Sequence, residues 1–205
     1  LSVARVEADC LKSLRASSQQ SILAQRTKMS MIWVDTIDGW VGETEVTQAQ
    51  FVIGGGADNS QFDGDDRPVE NMTLEEALKF CEDVTASERE VGHLPDGYVY
   101  TLPTEEQWGE YVADADLDHA VYGQNETADV KSKPANLHGL YDVRGNVWEL
   151  TTTPHGRKRG RALRGGCYSS RAAEIEGAEF RENLADGSRY GKYGFRCVLV
   201  KKPSE

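Results

Sequence analysis

The sequence predicts an α+β domain built from short strands, two or three helices and long loops. Three observations carry that prediction. Runs rich in β-branched and aromatic residues are brief and scattered, as in Met31-Ile-Trp-Val34 and Tyr98-Val-Tyr-Thr-Leu102. Three helical segments each follow a threonine, at Thr47, Thr73 and Thr104, where its side chain can cap the helix. Between such segments lie stretches dominated by glycine, aspartate and asparagine, Gly54 to Arg67 above all, which must be loop.

In chain order, residues 1–28 stand apart. Val3, Val6, Cys10, Leu11, Leu14, Ile22 and Leu23 recur at roughly helical spacing among polar residues, which reads as an amphipathic helix or linker. Such a segment lies on the domain or joins it to a further domain on its N-terminal side. The globular pattern occupies 29–205. Strands at Met31–Val34 and Trp40–Val46 flank Asp38-Gly39, a hairpin-turn pair. Thr47 opens a short helix to Phe51. Another follows Thr73, with Glu76 completing a capping box and Leu74, Ala77, Leu78, Phe80 and Cys81 as its apolar residues. Gly92 to Gly97 ends it before the strand at Tyr98. Pro103-Thr104 opens the third helix, with Gln107 in the box position and Trp108 behind it. Residues 114–138 are acidic and irregular, only Val121-Tyr122 having strand character. Short runs at 139–150, 162–168 and 194–200 complete the pattern.

At 205 residues, 39% hydrophobic and 28% charged, the chain is long enough to bury a core and has a globular composition. No apolar run approaches the ~20 residues that span a bilayer, so no membrane span is expected. The chain opens on Leu1 and reads as a processed or truncated piece, soluble, and either cytoplasmic or surface-displayed. Net charge is −11, from 34 acidic and 23 basic residues, which argues against general nucleic-acid binding. The local exception, Arg157-Lys158-Arg159 with Arg161 and Arg164, reads as a solvated hairpin tip.

Signals for chemistry are sparse. Cys10, Cys81, Cys167 and Cys197 form no C-x-x-C pair and therefore no zinc site. His93, His119, His138 and His155 are isolated. There is no G-x-S-x-G, and Gly54-Gly55-Gly56 lacks the lysine and the strand–helix context of a phosphate loop.

Five segments in order carry a resemblance: Trp40 to Phe51, Arg67-Pro-Val-Glu70 running to Phe80-Cys81, Tyr100-Thr-Leu-Pro-Thr-Glu-Glu-Gln-Trp108, Asn136 to Glu149, and Arg164-Gly-Gly with Gly194-Phe-Arg. Together they resemble the formylglycine-generating-enzyme (sulfatase-modifying-factor) family, which has a C-type-lectin-like fold. The resemblance covers roughly residues 30 to 200. Active members hold copper on two cysteines between the RGG and GFR strands. Here that interval, from Cys167 to Cys197, has no cysteine inside it. The resemblance thus implies a pseudoenzyme without copper, and the alternative, a copper-dependent oxidase, would need a new role for Cys167. The family fold also sets Cys167 and Cys197 on neighbouring strands, where they are either packed thiols or a cross-strand bridge.

The same resemblance implies a structural calcium held by the side chains of Asp142 and Glu149 and the carbonyls of Gly145 and Val147. The other reading of the two carboxylates is hydrogen bonding to backbone or pairing with an arginine such as Arg196. One non-catalytic branch comprises variable proteins of diversity-generating retroelements, which display a diversified surface in this interval. Its residues here suit binding: Tyr168, Ser169, Ser170, Arg171, Glu174, Ile175, Phe180, Asn183, Asp186, Ser188, Arg189, Tyr190 and Tyr193. The expectation is a module for a protein or other macromolecular ligand. Adenine-directed change of asparagine codons yields neither glutamate nor lysine, so Glu174, Glu176, Glu179, Glu182 and Lys192 would be fixed scaffold in a diversified protein. The remaining alternative is a degenerate accessory domain of a signalling protein.

Overall fold

A computed structural model describes residues 21–155, 160–177, 182–184 and 187–202. Two sheets organise them. The larger has the strand order β1 (Ser21–Leu23), β2 (Ser30–Val34), β3 (Gly39–Gly42), β9 (Val198–Lys201) and β4 (Tyr98–Thr101). All its pairings are antiparallel, with Trp40 opposite Leu199 and Tyr100 opposite Leu199 on the other edge of β9. The second sheet runs β7 (Glu182–Leu184), β6 (Gly160–Arg164), β5 (Trp148–His155) and β8 (Tyr193–Gly194). β8 lies parallel to β5, the others antiparallel.

Alternation along the larger sheet sends successive side chains into two cores. Met31, Trp40 and Leu199 join the cluster that holds Phe51, Phe80, Leu150, Leu163 and Phe195. Val41 and Val198 enter a smaller cluster with Trp108, Tyr111, Leu140 and Val143 on the opposite face. Both faces of β3 and β9 are therefore covered, and the full burial of Val41, Val198 and Leu199 follows. Burial of this kind stabilises by roughly 25 cal/mol per Å² of apolar surface.

The helices begin where the threonines stand. Thr47, Thr73 and Thr104 each accept the N–H of the third helical residue, and Gln50, Glu76 and Gln107 reach back to the cap backbone. They open α1 (Gln48–Ile53), α2 (Leu74–Glu90) and α3 (Glu105–Tyr111). A fourth helix, α4 (Ala172–Glu176), is one the sequence reading did not foresee. Its N-cap residue, Arg171, makes no side-chain cap bond, and only Glu174 reaches back to accept the Arg171 N–H, so the usual signal is missing. No helix among the described residues is long and apolar enough to cross a membrane.

Several expectations change. Residues 1–20, with most of the proposed N-terminal helix, lie outside the described residues, as does the 157–159 basic turn. The end of that helix is instead an edge strand: Ser21–Leu23 pairs with Ser30–Ile32, and the Ala24–Met29 turn reverses the chain. The reach between β2 and β3 holds a 3-10 turn at Asp35–Ile37, which Trp33 Nε1 supports by donating to Asp35 Oδ1. β3 stops at Gly42 instead of Val46, because Glu45 turns inward to a buried cluster described below. Cys167 follows β6, whose ladder neighbours are β5 and β7, whereas Cys197 precedes β9 in the other sheet. The two are not cross-strand partners. Cys197 Sγ instead faces Cys81 Sγ of α2 at 3.6 Å, both as free thiols.

Candidate functional site

The RGG turn builds one wall of a pocket. β6 ends at Arg164, and Gly165 and Gly166 follow with φ of +95° and +81°, a region that strains any side-chain-bearing residue. A Cβ on Gly166 would meet Ile175 Cδ1 at 2.5 Å, so the missing side chain lets α4 pack onto the turn. Backbone bonds then fix the loop: Tyr168 N–H donates to Asn146 O, and Gln124 N–H donates to Tyr168 O. Ser170 Oγ accepts the Cys167 N–H. At the start of α4 the exposed Arg171 donates its backbone N–H to Glu174 Oε2. The opposite wall is the segment Tyr190–Tyr193, where the two tyrosine rings sit 5.1 Å apart.

Between these walls is a pocket of about 480 Å³. Of the residues anticipated for binding, the structure brings Tyr168, Ser169, Ser170, Arg171, Glu174, Tyr190 and Tyr193 together around it. Other anticipated residues are elsewhere. Ile175 is fully buried beneath the Gly166 turn, a packing residue and no ligand contact, because its side chain fills the space that glycine leaves. Arg189 turns to the helix side, bonding Glu76 and the Asn71 carbonyl, and neither it nor Ser188 lines the pocket. Asn183 lies on β7 opposite Ala162. Phe180 and Asp186 lie outside the described residues.

Sequence reasoning missed five contributors: Gln61, Trp148, Cys167, Gly191 and Lys192. Gly191 and Lys192 sit inside the interval between two chosen tyrosines, so the interval itself was their signal. Gln61 comes from the glycine-rich loop more than a hundred residues upstream, and nothing local marks it. Cys167 is buried, with Sγ 3.4 Å from Ser169 Oγ and 3.7 Å from Ser170 Oγ. Behind the pocket lies Glu70, whose Oε1 accepts the N–H groups of Gln61 and Phe62. Burial pushes its carboxyl above the usual glutamate range. Burial also raises the Tyr168 hydroxyl, with smaller effects from Cys167 and Glu70.

The residues anticipated as calcium ligands form a second, buried centre. Arg196 is fully buried and donates through Nε to Glu149 Oε1 at 2.8 Å, through Nη1 to Gly42 O and through Nη2 to Tyr141 O. Glu149 Oε2 accepts the Tyr111 hydroxyl at 2.9 Å. Glu45, which sequence reasoning passed over, accepts the Val147 N–H and the Asn146 amide. Asp142 accepts the Lys131 N–H on Oδ2, while its buried Oδ1 has no hydrogen-bond partner. Three carboxylates thus surround one guanidinium. Burial first, and then Asp142, hold the Glu45 carboxyl well above its ordinary range, and burial lifts Asp142 to about 6.

Calcium can be tested against this donor set. Among the described residues no group of three or more His, Cys, Asp or Glu side chains is arranged to hold a metal. A cation here would rely on backbone carbonyls beside one or two carboxylates, a mixture calcium accepts. The orphaned Asp142 oxygen and the excess of buried negative charge fit such an ion. Both Glu149 oxygens already receive donors, so Glu149 would share them.

The two-sheet topology, the paired glycines and the buried Glu149–Arg196 centre define an α+β domain of the C-type-lectin-like, formylglycine-generating-enzyme class. Residues 24–201 match the sulfatase-modifying factor enzyme 1-like domain, and the chain belongs to that family. A formylglycine-generating enzyme of Streptomyces coelicolor is 38% identical over 95 residues, 37% of this chain and 30% of that protein. A serine/threonine-protein kinase, pkn1 of Chlamydia caviae, is 32% identical over 127 residues, 47% of this chain and 20% of that one. The chain thus spans a third or less of the length of these curated relatives. Among solved structures, Treponema denticola variable protein 1 superposes with a TM-score of 0.69 at 24% identity, over 80% of this chain and 84% of that one, a likeness of fold.

Proposed function

We propose that this domain is a non-catalytic binding module whose pocket face contacts a protein or other macromolecular ligand. The observation that carries the reading is the convergence of Tyr168, Ser169, Arg171, Tyr190 and Lys192 on one open face held by two rigid turns. Tyrosines supply wide contact at low entropic cost, and serine and arginine supply adaptable hydrogen bonds. The likeness of fold to a variable protein supports the same use, and a diversity-generating retroelement is its most specific version. In that version the interval is diversified, and the encoding DNA carries an imperfect nearby copy of the codons for about 165–197, differing at template adenines, beside a reverse transcriptase. The kinase relatives support placement of the module within a longer signalling protein.

The test is a display library with positions 169, 171, 190 and 192 randomised and panned against an unrelated protein such as lysozyme. Recovery of specific binders that stay folded supports the reading. A library that yields only unfolded clones, or no binders, removes it. The competing oxidase reading draws on the Streptomyces relative. Copper-dependent oxygen consumption with a cysteine peptide, abolished by Cys167→Ser, would establish it in place of ours.

We also propose a structural calcium at Asp142, with the carbonyls of Gly145 and Val147 and a shared oxygen of Glu149. The ion would neutralise buried carboxylate charge and stiffen the 142–149 segment behind the pocket. Calcium should then raise the melting temperature of the chelated protein, since a ligand of the native state alone stabilises it. Asp142→Ala should erase that rise. A melting temperature indifferent to calcium and chelator would leave Arg196, with Lys131 beside Asp142, as the counter-charge.

A further inference from the structure

We propose that the pocket selects a positively charged group of its ligand, a lysine ammonium or an arginine guanidinium, and that Glu70 is the charge that selects it. This rests on the binding reading above and names the chemistry of what is bound.

Glu70 is 0% exposed, yet one of its oxygens is unused. Oε1 is taken by the backbone N–H groups of Gln61 and Phe62, whereas Oε2 is buried without a hydrogen-bond partner. Buried polar atoms are nearly always paired, and a buried carboxylate oxygen without a donor is costly. The free oxygen faces the pocket lining. It lies 3.2 Å from the point that a Cβ on Gly191 would occupy, and Gln61 Oε1 lies 2.4 Å from the same point. The Gln61 amide therefore fills the space beside Gly191 and stands over the free Glu70 oxygen. Gln61 and Gly191 both line the pocket. The exposed Gln61 side chain is the cover that an entering group displaces.

Chemistry then decides what fits. A hydroxyl could satisfy the oxygen but would leave the charge. An ammonium or guanidinium does both, because it donates only and forms the stronger charge-assisted bond. The lining suits a cation as well: Trp148, Tyr168, Tyr190 and Tyr193 are all part of it, and aromatic rings attract cations. The basic groups nearby, Arg171 and Lys192, stand on the exposed rim, where salt screens them, and Glu174 is bonded to the Arg171 backbone.

The experiment is a titration of the full chain with n-butylammonium chloride and, separately, with neutral 1-butanol at fixed ionic strength, followed by amide NMR. We expect saturable shifts at Gln61, Tyr168 and Gly191 with the ammonium, and affinity for butanol about tenfold weaker or worse. Glu70→Gln should weaken ammonium binding about tenfold or more. Gly191→Ala, whose Cβ would occupy the space beside the free oxygen, should abolish it and serves where Glu70→Gln fails to fold. Equal response to ammonium and alcohol overturns the proposal. So does ammonium binding that neither variant changes, which would put the Gln61 amide on the free oxygen, or shifts confined to another face. If the randomised library yields binders while Glu70→Gln leaves ammonium binding intact, the charge assignment fails and the binding reading stands.

Discussion

The Arg196 centre and the pocket face lie on two sides of the 142–149 segment, and their polar groups are treated in opposite ways. Around Arg196, the guanidinium, Glu149, Tyr111 and the carbonyls of Gly42 and Tyr141 are tied into one buried network joining both sheets, and Asp142 Oδ1 is its one atom without a donor among those described. On the pocket face, Ser169, Arg171, Tyr190 and Lys192 are exposed above the buried Trp148, Tyr168 and Tyr193, and the Glu70 oxygen behind it is left without a donor. A buried network fixes geometry because each of its members is costly to leave unpaired. An open face with few internal obligations can change residues without changing the fold. The difference separates what holds this domain together from what it offers a partner.

Breaking the network should have the largest effect. Arg196→Ala leaves Glu149 buried without its counter-charge and should cost about 3–5 kcal/mol, read by chemical denaturation. Stability within about 1 kcal/mol of the parent would mean the network carries little. Gly145→Ala comes next. Gly145 has φ of +78°, and a Cβ there would sit 2.2 Å from the Val121 carbonyl oxygen. Strain and overpacking together should cost about 2–3 kcal/mol.

Glu70→Gln should move stability the other way and so sharpen the contrast. Burial raises the Glu70 pKa in the folded protein above its unfolded value. Its ionised form therefore opposes folding at neutral pH, and this penalty fades as pH falls through the folded pKa into the ordinary glutamate range. The variant should be more stable at pH 7 by about 1 kcal/mol, because the amide can donate to the acceptor beside it. The gain should shrink on acidification. A loss of stability at pH 7 would show that Glu70 serves the scaffold and not the pocket. The smallest effect is expected at Ser169, Arg171 and Tyr190, where single substitutions should stay within about 0.5 kcal/mol.

Much of this contrast is legible in the chain. The three threonine caps, the ordered motifs and the pairing of glycines after Arg164 are local signals, and each reappears as a structural feature. The pocket wall at 168–171 and 190–193 is also readable, because its residues are close in sequence to the glycines that position them. What escapes reading is long-range. Glu45 reaches Val147 across more than a hundred residues, and Gln61 enters the pocket from a loop without pattern. Ile175 looks like a surface residue until α4 exists, and α4 has no hydroxyl cap to announce it. The partner of Cys197 is set by how α2 packs on the larger sheet, so its neighbour is Cys81 and not Cys167.

The most direct measurement compares two display libraries under protease challenge, one randomised at 169, 171, 190 and 192 and one at 45, 142, 149 and 196. The account predicts that most clones of the first library resist the protease like the parent, whereas few of the second do. Equal survival of the two libraries would contradict the division between a fixed network and a free face.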